Sequence, residues 1–137
     1  MLEQLQNILE RAARADGIDP DVARAARLMR ERFARLRTVT DVAREAGVNY
    51  HTLRDKFRRQ TRMTMAEFLA RVCVGEAMRL LRDSDKLVKE VAWAVGYDYE
   101  DRLTRAFQKY MDMPPHLFRS RIRSGHLPNE PLDRFHL

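Results

Sequence analysis

Residues 39–60 read VTDVAREAGVNYHTLRDKFRRQ, and residues 88–109 read VKEVAWAVGYDYEDRLTRAFQK. Ala43 and Ala92 stand 49 residues apart, as do Gly47 and Gly96, whereas Leu53 and Leu103, like Phe57 and Phe107, stand 50 apart. The second stretch has gained one residue after its glycine. A spacing otherwise kept this closely marks two copies of one supersecondary unit. Val39, Val42, Ala43 and Ala46 fall on one helical face, as do Val88, Val91, Ala92 and Val95. Thr38 with Asp41 three residues on matches a capping box, and Gly47 and Gly96 supply a left-handed stop. Asn49 and Asp98 are good N-caps for the second helix of each copy. Each copy therefore predicts a helix, a tight turn and a second helix anchored by a Leu and a Phe. Around those anchors the first copy places Tyr50, His51, Arg54, Lys56, Arg58 and Arg59, polar residues expected to look outward toward a partner.

Outward from the repeat, "DPDVARAARLMRERFARLR" sets Val22, Ala26, Met29 and Phe33 on one face and predicts a helix from Pro20 to Leu36, capped by Asp19. Thr64 and Glu67 form a second capping-box pattern, opening a helix from Met65 to Arg82 with Phe68, Leu69, Val72, Cys73, Leu80 and Leu81 on its apolar face. At ~1.5 Å per residue it would be about 27 Å long, against roughly 34 Å for a turn of B-DNA. Leu2, Leu5, Leu9 and Ala12 form a short apolar stripe, expected to be a helix docked on the domain or a contact for a dimer mate or partner. Gly125, Pro128 and Pro131 predict an irregular tail. The expected division is a helical extension at 1–18, helix-turn-helix subdomains at 19–63 and 84–123, a connecting helix at 64–83 and the tail at 124–137.

Composition agrees with an all-α fold. Of 137 residues, 34% are charged and 45% apolar, and five Gly and five Pro leave the chain to helix formers. The length suits one modest domain or two very small ones sharing an element. The net charge of +6 is carried mostly by arginine and points to a polyanionic partner. Arginine's planar fork suits phosphates and guanine edges better than lysine's point charge. A lone cysteine, Cys73, excludes a disulfide within the chain and a multi-thiolate zinc site, and its apolar neighbours predict a buried, inert thiol. His51, His116, His126 and His136 lack ligand spacing, so neither metal nor cofactor is expected. His116, after Pro114-Pro115, is expected to pack or cap, and Trp93 is expected in the core. No Ser-His-Asp set, phosphate loop or paired acids suggests an enzyme. With no bilayer-length apolar run or leader, the expectation is a soluble cytoplasmic protein.

The motifs A-x-x-x-G-V with L-x-x-x-F, V-A-x-x-V-G-Y, and L103-T-R-A-F-Q-K-Y-M-D-M-P-P-H-L-F-R119 resemble the DNA-binding domain of the AraC/XylS regulators, above all the short MarA/SoxS/Rob branch. The resemblance spans about Pro20 to Arg123. It implies a monomer that binds an asymmetric double-stranded DNA site through both units and recruits RNA polymerase. Carried over by position, it implies base-edge contacts from His51, Arg54 and Asp55 with Tyr50 and Arg58 close by, and from Glu100, Asp101, Arg102, Thr104 and Arg105. Asn49, Arg59, Arg62 and Lys109 would hold phosphates.

Arg62 departs from the family's usual glycine; Asp112 replaces the second such glycine, as in the MarA-like branch, and Leu87 replaces a hydroxyl cap. Glu100 and Asp101 put negative charge where DNA should approach, which predicts weaker binding by the second unit. Those acids and the N-terminal segment also favour an alternative, a protein-interaction adaptor of the same fold. No small-molecule effector domain is expected in this length.

Overall fold

The computed structural model describes residues 17–36 and 38–125, which form seven helices and no strand. The N-terminal stripe and most of the predicted tail lie outside the described residues. Helix α1 spans Pro20–Arg32; Asp19 caps it, its Oδ1 accepting from the Asp21 amide at 2.8 Å. That amide, and secondarily Lys56, hold the Asp19 carboxyl below the usual carboxylate range against the cost of desolvation. Val22, Ala25, Ala26 and Met29 form its buried stripe. The helix stops at Arg32, short of the expected Leu36, because the chain tightens into a turn in which the amides of Arg35 and Leu36 both donate to the Arg32 carbonyl. Leu36 still reaches the core, so its apolar spacing could not betray the break.

Helix α2, Val39–Ala46, opens on a complete capping box: the Asp41 amide donates to Thr38 Oγ1 at 3.3 Å and the Thr38 amide to Asp41 Oδ2 at 3.1 Å. Gly47, at φ 74°, ends it. Helix α3, Tyr50–Thr61, is capped by Asn49, whose Oδ1 accepts from the Thr52 amide. It buries Leu53, Phe57 and Thr61 and ends at Arg62, whose φ of 64° is left-handed as its family-glycine position implies. Thr61 is the buried hinge of that ending: its hydroxyl donates to the Phe57 carbonyl at 2.7 Å and accepts from the Met63 amide at 3.3 Å.

Helix α4, Met65–Asp83, is the spine. Its 19 residues make it about 29 Å long, and Thr64 Oγ1 accepts from the Glu67 amide at its start. One end packs on α1, α2 and α3, with Phe57 edge-on to Phe68 at 5.3 Å. Against the rest pack α5 (Val88–Ala94), α6 (Glu100–Met111) and α7 (Pro115–Arg123). Phe107 meets Phe118 edge-on, also at 5.3 Å. From α7, Arg119 reaches back to donate to the carbonyls of Leu81 and Ser84, so a guanidinium closes the C-terminus of α4.

The second unit departs from expectation in three places. Trp93 is 58% exposed rather than core: the buried face of α5 is Val91, Ala92 and Val95, and Trp93 lies a further 100° or so around the helix from Ala92. Asp98 is not the cap of α6. The residue gained after Gly96 moves the helix start to Glu100 with Tyr99 at the cap, whose side chain makes no capping hydrogen bond. His116 is exposed beside Pro114, which takes the cap position of α7, so it does not pack inward. Leu87 supplies no side-chain cap to α5, and only Glu90 Oε1, accepting from the Leu87 amide at 2.7 Å, closes that end.

The two units also touch without α4 as intermediary. Gly96 sits at φ 102°, and a Cβ there would come within 3.0 Å of Ala34 Cα and 3.1 Å of the Phe33 and Ala34 carbonyl oxygens. Beside this contact lies a cleft of about 280 Å³, with Leu36 and Val39 from the first unit, Leu69 and Cys73 from the spine, and Tyr97 and Arg102 from the second.

Candidate nucleic-acid interface

Helix α3 is amphipathic because of its sequence. Leu53 and Phe57, one turn apart, fix the inward direction. At 100° per residue Asp55 then points about 180° away from their mean, and Arg54 about 80° away. His51, Thr52, Arg54, Asp55, Arg58 and Arg59 are all exposed, as is Arg62 just beyond. Tyr50 is half-buried against the core. Lys56, although part of the same basic run, faces the other way: its Nζ lies 3.1 Å from Asp19 and 3.6 Å from Asp21, tying α3 to the start of α1. The Asp19 amide adds a bond to Gln60 Oε1 at 3.0 Å.

Three side chains of α3 meet before any ligand arrives. The Tyr50 ring takes His51 edge-on at 5.3 Å on one side and has the Arg54 guanidinium 5.9 Å from its centroid on another. Arg54 Nε donates to Asp55 Oδ1 at 3.2 Å. Tyr50, Arg54, Asp55 and Arg58 also line a groove of about 400 Å³ whose far wall is Thr64, Met65 and Ala66, the N-terminus of α4. Amides at a helix start favour anions.

Helix α6 repeats the plan with less positive charge. Leu103 and Phe107 are fully buried, and Glu100, Asp101, Arg102, Arg105 and Lys109 are exposed, with Thr104 half-buried at the flank. Lys109 Nζ lies 5.4 Å from the Tyr110 ring. Arg102 departs from its neighbours: it lines the cleft between the units, and its charge works against the burial that pushes the Tyr97 hydroxyl's pKa upward. Gln108, not among the residues carried over by position, is also exposed and stands where Arg58 stands in the first unit, as the 50-residue offset signals. Thr52 is likewise outside that set. It is exposed on the outer face of α3, its hydroxyl 3.4 Å from Asn49 Oδ1.

Cationic residues outnumber acidic ones four to one along α3 and three to two along α6. Two charged helices, each the second of a helix-turn-helix pair, thus carry net positive charge on their exposed faces, which attracts polyanions. No described helix is long and apolar enough to cross a membrane.

Known proteins agree. The family model described as a helix-turn-helix domain matches residues 42–121. An AraC-like transcription regulator from Streptomyces lividans is 35% identical over 97 residues, 71% of this chain and 32% of that protein. The multiple antibiotic resistance protein MarA of Escherichia coli is 26% identical over 61% of this chain and 66% of its own. The chain thus spans about a third of the former and two thirds of the latter. Among solved structures, the C-terminal domain of the response regulator AraT from Geobacillus stearothermophilus superposes with a TM-score of 0.72 at 26% identity, over 87% of this chain and 96% of that one. The DNA-binding domain of the transcriptional factor AdpA, solved with a target DNA, gives 0.73 at 25% identity over 78% and 96%. This chain belongs to the AraC-type helix-turn-helix family of DNA-binding transcription regulators.

Proposed function

We propose that the protein reads one asymmetric duplex site by laying α3 and α6 in neighbouring major grooves, and that it acts on transcription by contacting RNA polymerase. The observation that carries this reading is the matched anchoring of two charged helices on one spine. Leu53 and Phe57 hold α3 as Leu103 and Phe107 hold α6, and α4, about 29 Å long, joins them. That length is close to the roughly 34 Å between successive major grooves. In this reading His51 and Arg54 meet base edges in the first groove, and Arg105 and Thr104 in the second. Arg58 lies beside the first of these, and Arg59, Arg62, Lys109 and the amides after Asn49 hold the backbone. Glu100 and Asp101 oppose the phosphates, so the first unit supplies most of the affinity. One relative, 28% identical over 59% of this chain and 29% of its own length, is named as a transcriptional activator, RhaR of Klebsiella pneumoniae, which supports a role in activation. Trp93 and Leu87, exposed around α5, offer a surface for the polymerase contact.

The test is a pair of substitutions. Arg54→Ala should cost ~1–3 kcal/mol on the preferred site and relax one base position, whereas Arg59→Ala should weaken all duplexes alike. Unchanged preference and affinity in Arg54→Ala, measured by competition on randomised duplexes, would remove α3 from the reading.

A further inference from the structure

Asp55 poses a problem. It points straight out from the first recognition helix, 67% exposed, toward where phosphates would come, and a carboxylate there repels DNA. An exposed ion pair contributes little to stability, so the bond to Arg54 is no reason of its own for the fold to keep it. Neighbouring helix residues also do not face one another. Arg54 starts about 80° from the inward direction, on the flank of α3, yet its Nε lies 3.2 Å from Asp55 Oδ1. Its guanidinium has been drawn toward the outermost line of the helix. The pairing uses Nε, which leaves both terminal nitrogens of the fork for a guanine O6 and N7. From behind, the Tyr50 ring supports the same guanidinium at 5.9 Å and meets the His51 ring at 5.3 Å. Tyr50 itself is half-buried and packed on the core, a rigid base for both.

Building on the DNA-reading role of α3, we infer that Tyr50 and Asp55 are positioning residues rather than base contacts. They hold Arg54, and Tyr50 also holds His51, in reading pose before DNA binds. Ordering a rotamer-rich side chain during association weakens binding by about 2- to 13-fold. Holding it beforehand avoids that loss only for the base the fixed fork fits, so the gain is one of discrimination. The carboxylate's repulsion applies to every sequence.

The experiment measures affinities for the preferred duplex and its three variants at the base whose discrimination Arg54→Ala abolishes. Wild type is compared with Asp55→Ala, Asp55→Asn, Tyr50→Phe, Tyr50→Ala and the Arg54→Ala/Asp55→Ala pair. Asp55→Ala should bind random duplex as well as wild type or better, yet lose about 3- to 10-fold in discrimination at the Arg54 base. Tyr50→Phe should match wild type and Tyr50→Ala should behave like Asp55→Ala. Should Tyr50→Ala unfold, the Asp55 variants, exposed and far from the core, still decide. In the double variant Asp55→Ala should add no further loss. If Asp55→Ala instead relaxes a different base, additively with Arg54→Ala, it reads that base directly and the inference is wrong. If Arg54→Ala relaxes no base at all, the role of α3 itself fails, and this inference with it.

Discussion

Arg62 occupies a left-handed φ of 64° at the end of α3, where an L side chain costs ~1–2 kcal/mol. Replacing it by glycine relieves that cost but frees the unfolded chain, which takes back ~0.4–1 kcal/mol. Arg62→Gly should therefore raise urea stability by up to about 1.6 kcal/mol. If Arg62 holds a phosphate, the same variant should weaken all duplexes equally, and an unaltered affinity would remove it from the backbone contacts. Cys73 makes a second residue-level case. Burial pushes its thiol up to about 12, so the nucleophilic thiolate is nearly absent at neutral pH. Iodoacetamide at pH 8 should leave the folded protein unmodified while labelling it in urea; fast labelling of the native state would contradict the burial of this face of α4.

Elements were more legible than their edges. Residues predicted as inward anchors, Leu53, Phe57, Leu103 and Phe107, are inward because a repeated Leu and Phe at i and i+4 allow one helical face and no other. Where expectation failed, local chemistry outweighed periodicity. Helix α1 ended early in a turn that keeps the apolar spacing. Asp98 lost its capping role because one added residue moved the start of α6. Trp93 read as core because its neighbours are core. The outward faces of α3 and α6 were largely visible in the sequence, but the inward turn of Lys56 was not, since it depends on Asp19 and Asp21, some 35 residues earlier in the chain. The contact between units was equally hidden. Both turn glycines have positive φ, yet a Cβ on Gly47 would meet nothing within 4 Å, whereas one on Gly96 would strike backbone of the first unit. Gly47→Ala should cost ~1–2 kcal/mol from backbone conformation alone. Gly96→Ala should cost ~1–3 kcal/mol more, because the atoms it meets cannot swing aside. Equal losses in thermal or urea unfolding would mean that the two units are not in close contact there.

At the scale of the whole molecule, two units share one spine and meet again at Gly96, contacts that join α3 and α6 through one packed body. A pair held this way should favour sites of fixed spacing, with steep salt dependence, each phosphate held contributing about −0.9 to the slope of log affinity against log salt. Acids in the first turn of α6 stabilise its uncapped N-terminus, so Asp101→Asn should lower stability by ~0.3–1 kcal/mol while strengthening DNA binding. Weaker binding confined to sites with a particular cytosine would instead make Asp101 a base reader. The most direct measurement is selection of bound duplexes from random DNA, followed by reselection with Arg105→Ala. Tandem reading by α3 and α6 should give two unlike half-sites about 10–10.5 base pairs apart, the second of which loses its preference in the variant. A single half-site, unchanged by Arg105→Ala, would contradict tandem groove reading.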